Sequence, residues 1–172
     1  SNAMNLSRLP PSPSSDLVHL LVVNPAGSRH QYDYCPDTEL MVLKRVLDSS
    51  IRHPFDYGFV PNTKALNGGP LAAMVIAAEP LPTGCLIRAR PIGLLELHEQ
   101  SQCLSTLLCI PDADPRQGAI QSIRQIAPAQ LEEIAEFFRT IRNLEGVSVL
   151  RQGWRDVDAV PPLLKRCAAS AR

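Results

Sequence analysis

Only a few stretches of this chain carry residue types at a spacing that suits chemistry. Asn67-Gly68-Gly69-Pro70 could bring backbone N–H groups against a phosphate. A phosphate cradle of that kind needs a helix N-terminus behind it. The apolar run Leu71–Val75 follows instead, and Asn-Gly on its own favours a hairpin turn. Asp112-Ala113-Asp114 has the form of a paired oxygen ligand, but its Pro-flanked setting reads as turn chemistry. His19, His30 and His98 have no His or Cys at metal-ligand spacing and are assigned no site. The five cysteines, Cys35, Cys85, Cys103, Cys109 and Cys167, are odd in number and form no CxxC pair. Neither a zinc knuckle nor a disulfide framework is expected, and the thiols read as small apolar residues.

Apolar runs bounded by turn residues dominate the first two-thirds of the chain. Leu17–Val23, Gln31–Cys35, Leu40–Leu47, Leu71–Ala78, Cys85–Leu97 and Leu104–Ile110 read as strands, with a Pro-containing loop at His53–Thr63. Short strands at this spacing predict a small closed barrel, which removes exposed sheet edges. Leu131, Ile134, Phe138 and Ile141 then recur at helical spacing within Gln130–Leu144, with Gly146 just beyond the end. A second helix is predicted over Val157–Cys167, its Pro161 and Pro162 confined to the first turn. The fold class is therefore mainly β with α, a barrel core with two C-terminal helices.

The 172 residues, 45% hydrophobic, suit one domain. Ser1-Asn2-Ala3 before Met4 resembles a cloning remnant, and Leu9–Ser15 (LPPSPSS) reads as a Pro/Ser-rich arm. Residues 1–16 are thus expected to be a tag remnant and flexible arm, with a single domain over 17–170. No apolar run approaches the ~20 residues of a membrane helix, and a signal-peptide pattern is missing, so a cytoplasmic location is expected. Seventeen basic and seventeen acidic residues cancel, and aromatics are only 5%, which argues against a nucleic-acid partner.

Three stretches, PAGSRHQYDY (Pro25–Tyr34), RHPFDYGFVPNT (Arg52–Thr63) and PLPTGCLIRARPIGLLEL (Pro80–Leu97), resemble the family I soluble inorganic pyrophosphatases in order and spacing. FFRTIRNLEG (Phe137–Gly146) is similar to that family's helix of the form FFxxYKxLE. The resemblance implies a five-stranded barrel of the oligonucleotide-binding type, magnesium-dependent hydrolysis of pyrophosphate, and a homo-oligomer. Pyrophosphate and its attacking hydroxide are both anionic, so divalent ions held by carboxylates are needed to neutralise charge and lower the pKa of water.

Set against the family's DxDPxD signature, the hairpin here reads NGGPLA, with Asn67, Gly69 and Ala72 at the three aspartate positions. Val23 and Gln31 stand at the positions of a family glutamate and lysine. After PIG, Glu99, Leu104 and Thr106 stand where the family has an acidic pair and a lysine. The resemblance leaves Arg45, Tyr57 and Arg142 as an anion-binding set, with Glu99 and Asp33 as candidate metal ligands. The expectation from these positions is a catalytically impaired or inactive homologue that retains binding of phosphate or pyrophosphate, with magnesium weak or absent. The alternative is an active magnesium-dependent inorganic diphosphatase with rebuilt metal ligands.

Overall fold

The computed structural model describes residues 6–48 and 50–171. Strand β1 (Val18–Asn24) is rich in branched apolar residues and is buried along its whole length. His19 sits within it because its ring Nδ1 lies 2.7 Å from the Pro10 carbonyl oxygen. Strands β2 (His30–Cys35) and β3 (Leu40–Val46) pair only with each other, as a hairpin outside the main sheet. The main sheet continues with β4 (Asp56–Val60), β5 (Leu71–Val75), β6 (Leu86–Glu99) and β7 (Cys103–Pro111). Helix α1 (Pro128–Leu144), strand β8 (Val149–Asp156) and helix α2 (Val160–Ser170) complete the chain.

The pairings β1–β4–β5–β7–β6 return to β1, so five strands form a ring with β8 added beside β6. Strand β6 makes this possible by its 14-residue length. Its first half pairs with β1, from Leu86↔Leu21 to Ala89↔Val18, and its second half with β8, from Gly93↔Asp156 to Glu99↔Val149. Alternation along β6 divides the apolar side chains between two clusters. Leu94 joins Val18, Leu20, Leu107 and the α2 residues Val160 and Leu163. Leu95 and Leu97 join Phe55, Met74, Leu108 and the α1 residues Ile134 and Phe138.

The mainly β architecture with two late helices agrees with the sequence reading, and three details differ. Strand β4 occupies the segment expected to be a loop. Gly58 is required there, because a Cβ at that position would meet the Leu21 carbonyl oxygen at 1.8 Å. Asp56 is buried, and its Oδ1 accepts from the backbone N–H of Ala26 at 2.8 Å and of Leu81 at 3.2 Å, tying two turns to the strand. Strand β8 gave no apolar run because it is a half-exposed strand with Arg151, Gly153 and Arg155 in it. Residues 6–15 lie against the barrel. Asn62 Nδ2 donates to the Leu6 and Leu9 carbonyls, and the His19 N–H donates to the Pro11 carbonyl. Residues 1–5, the expected cloning remnant among them, lie outside the described residues. No helix among the described residues is long and apolar enough to cross a membrane.

Candidate active site

The hairpin between β4 and β5 is closed by its own groups. Asn67 Oδ1 accepts the Gly69 N–H at 3.0 Å, the Gly68 N–H reaches the Ala65 carbonyl at 3.0 Å, and the Ala65 N–H reaches Gly69 O at 2.7 Å. Gly68 has φ +87°, the left-handed geometry that glycine adopts without strain. Thr63 braces the base of the hairpin, accepting the Leu71 N–H at 2.9 Å and donating to Val60 O at 2.6 Å. With the Gly68 and Gly69 N–H groups used internally the loop is a turn, as expected from Asn-Gly.

This turn forms one wall of a cavity of about 1100 Å³. Asn67, Gly69, Ala72, Tyr57 and Thr106 line it from the barrel, Asp33 and Lys44 from the β2–β3 hairpin, and Ile141, Arg142 and Glu145 from α1 and its end. Aromatic packing fixes the α1 wall, with Phe55 stacked on Phe138 at 5.5 Å and Phe137 5.0 Å from the His53 ring. Tyr57 lies 5.8 Å from Phe138 between ring centroids. Burial first, then the charges of Glu145 and Asp33, push its hydroxyl up to about 12, so it stays a neutral donor. Burial likewise lowers the His53 pKa, against the opposing effect of its contact with the His30 carbonyl, and holds the ring neutral.

Four of the charged groups that line the cavity, Asp33, Lys44, Glu145 and Arg142, form an alternating chain that ends on the buried Glu99. Asp33 lies 3.9 Å from Lys44, and Lys44 lies 3.4 Å from Glu145. Glu145 accepts from Arg142 Nη1 at 2.6 Å, and Arg142 grips Glu99 through Nε at 2.5 Å and Nη2 at 3.0 Å. The two-point grip holds the Glu99 carboxyl below its ordinary range and raises the guanidinium further. Three carboxylates and two cations leave this chain of contacts with one net negative charge.

Tyr57, Arg142 and Asp33, expected from the sequence, thus share this cavity. Arg45 does not line it: opposite Gln31 in the β2–β3 hairpin, it has its Nη1 buried without a partner, and the neighbouring Lys44 reaches the site instead. Glu99 is buried behind Arg142 with both oxygens engaged. Leu104 packs against the α1-side cluster. Sequence reading missed Lys44 and Glu145. The second had a signal, its i+3 spacing from Arg142 at the end of α1.

Magnesium requires hard oxygen donors. The hairpin offers only the Asn67 side-chain oxygen, already used by Gly69, whereas Asp33 and Glu145 bring carboxylates to the cavity, which Glu96 and Asp158 also line. The donor set therefore fits a metal held by few protein carboxylates, with other oxygens completing its shell.

Comparison with known proteins matches residues 21–172 to the family model described as inorganic pyrophosphatase. A Synechocystis protein named inorganic pyrophosphatase is 46% identical over 164 residues, covering 95% of this chain and 97% of the relative. A Nostoc protein of the same name is 45% identical over 161 residues, covering 94% and 95%. The crystal structure of the inorganic pyrophosphatase from Thermus thermophilus superposes with a TM-score of 0.89 at 32% identity, covering 98% of this chain and 99% of that one. These relatives overturn the expectation of an impaired or inactive homologue. That reading rested on a handful of aligned positions, whereas kinship to proteins named for the activity runs through nearly the whole chain and favours the active alternative. The chain belongs to the inorganic pyrophosphatase family.

Proposed function

We propose that this protein is a magnesium-dependent inorganic diphosphatase that hydrolyses pyrophosphate to two phosphates, using a ligand set in which Asp33 and Glu145 take the place of hairpin aspartates. The observation that carries the reading is the alternating chain Asp33–Lys44–Glu145–Arg142–Glu99 beside the Tyr57 hydroxyl. In the free protein each charge is quenched by a neighbour. A magnesium–pyrophosphate complex offers opposite partners to four of these groups at once, cation to Asp33 and Glu145 and phosphate oxygens to Lys44 and Arg142.

Asp33 and Glu145 would hold the metal, with substrate oxygens and water filling the remaining positions. Magnesium, when bound, neutralises substrate charge and lowers the pKa of water. Lys44 and the freed edge of Arg142 then bind phosphate oxygens, and Tyr57 donates a hydrogen bond to one of them. Glu99 keeps its grip on Arg142 and orients the guanidinium. The aromatic wall of Phe137 and Phe138 limits water on the α1 side. We also infer that the chain works as a homo-oligomer, as the family resemblance implies.

The test is phosphate release from pyrophosphate by the full chain with magnesium, repeated with Asp33→Asn and Glu145→Gln. Magnesium-dependent turnover, reduced by at least ~10-fold in each variant, is expected. No release above the spontaneous rate with magnesium or manganese would overturn the assignment. Unchanged turnover in both variants would overturn the ligand set while leaving the activity.

A further inference from the structure

Strands β6 and β7 bring three unlike donor atoms to one point. Glu96 and His98 alternate along β6 with Leu95 and Leu97, whose side chains join the α1-side cluster, so the pair lies on the opposite face of the sheet. Cys103, at the start of β7, is in register with His98 across the turn. Glu96 Oε2 and His98 Nε2 are 3.6 Å apart, Cys103 Sγ and Glu96 Oε2 3.7 Å, and Cys103 Sγ and His98 Nε2 3.9 Å. The same three atoms make all three contacts, so they form a nearly equilateral triangle.

We propose that Glu96, His98 and Cys103 form a binding site for a divalent transition metal, zinc in particular, with one tetrahedral position left for water. Tetrahedral zinc, with bonds of about 2.0–2.3 Å to oxygen, nitrogen and sulfur, spaces its donors roughly 3.3–3.6 Å apart. The observed triangle needs to contract by only a few tenths of an ångström. Glu96 and Cys103 also line the cavity assigned to pyrophosphate, but thiolate and imidazole select zinc-like ions over magnesium, so the two sites differ in the ion they take. The transition-metal site goes beyond the proposed hydrolysis and does not depend on it.

The surroundings also suit a ligand set. Arg155 Nη1 donates to the other carboxylate oxygen, Glu96 Oε1, at 3.0 Å, which fixes the carboxylate and leaves Oε2 beside His98 and Cys103. The Glu96 and His98 side chains are 21% and 30% exposed, enough for an ion to enter. Without metal, burial and the Glu96 charge push the Cys103 thiol up. An arriving ion displaces that proton to solvent and binds the thiolate. The sequence pattern, E-x-H-x4-C spanning a hairpin, was passed over because His98 has no partner at the usual short spacing; strand pairing supplies it.

The test uses the full chain, stripped with chelator and titrated with cobalt(II) as a spectroscopic substitute. One equivalent is expected to give the visible bands of a tetrahedral ion with a thiolate charge-transfer band, both abolished by zinc. Cys103→Ser should remove the charge-transfer band, and both Cys103→Ser and His98→Gln should weaken binding by roughly 10–100-fold or more. Cys35→Ser, at a half-exposed thiol elsewhere, should change neither. Absence of cobalt binding, or a charge-transfer band that survives Cys103→Ser, overturns the site. If Cys103→Ser loses its far-ultraviolet circular dichroism, His98→Gln decides alone, and unchanged affinity there overturns the proposal. The readout is independent of turnover, so its failure and a failure of the hydrolysis assignment are separable.

Discussion

Arg142 holds two carboxylates whose dependence on it differs. Glu99 has a side chain only 2% exposed and turns both oxygens to the guanidinium, whereas Glu145 is 18% exposed and also meets Lys44. Arg142→Met would strand the Glu99 charge without its cation, at a cost of about 3–5 kcal/mol. Glu99→Gln leaves Arg142 its partner Glu145 and should cost about 1–3 kcal/mol. The sign with pH follows from the lowered Glu99 pKa, caused chiefly by Arg142. That stability is fully present above the ordinary glutamate value of 4.5 and is lost as pH falls through the lower folded value. Urea unfolding near neutrality should thus rank Arg142→Met as the weaker variant, with its deficit against the parent shrinking below pH 4.5. Equal costs, or a deficit that grows in acid, would contradict this account. The motifs singled out Arg142 and Tyr57, and both line the cavity. Lys44 was not singled out, because its partner Glu145 lies 101 residues away and only the hairpin–helix contact joins them.

At the scale of elements, buried strands with clean apolar runs and the helix with i, i+3, i+7 periodicity were readable, while β4 and β8 were not. Strand β4 carries Asp56 and Gly58, both loop-like in sequence and both demanded by packing: the carboxylate binds two distant N–H groups, and the glycine lets β1 approach. Strand β8 shows that a half-exposed strand can lack a legible pattern; its Trp154 secures it by donating to the Leu131 carbonyl of α1 at 3.3 Å. The two glycines of these strands should respond in opposite ways to the same change. Gly58→Ala forces a Cβ to within 1.8 Å of the Leu21 oxygen and should destabilise by at least about 3 kcal/mol. Gly153→Ala, where a Cβ meets nothing within 4 Å, should stay within about 0.5 kcal/mol. Chemical denaturation of both variants checks this, and a tolerated Gly58→Ala would mean that β1 and β4 are not paired as described.

At the scale of the whole molecule, the sequence positions that argued against activity and the chain-wide kinship that argues for it are different kinds of information. The first concerns a few side chains on one hairpin; the second rests on a family match over residues 21–172 and on a fold, with its ring of five strands, that superposes at a TM-score of 0.89 on a Thermus thermophilus enzyme structure. A ring of that kind can keep a cavity in place while the residues lining it change, which is why carboxylates at its rim are proposed to serve where hairpin carboxylates do not. The same architecture leaves the β2–β3 hairpin outside the ring with apolar side chains in water. Leu40 is 61% exposed, Val42 51%, Leu43 52% and Val46 52%. Four apolar side chains this exposed on one strand of a small protein suit a surface that another molecule covers. A second copy of the chain is the expected occupant, since the resemblance implies a homo-oligomer. Light scattering coupled to size exclusion should give a mass above that of the monomer for the parent, and Leu43→Asp with Val46→Asp should shift it to the monomer without loss of far-ultraviolet circular dichroism. A parent that runs as a monomer at every concentration would assign the exposed side chains to a different partner and remove the hairpin from any self-association.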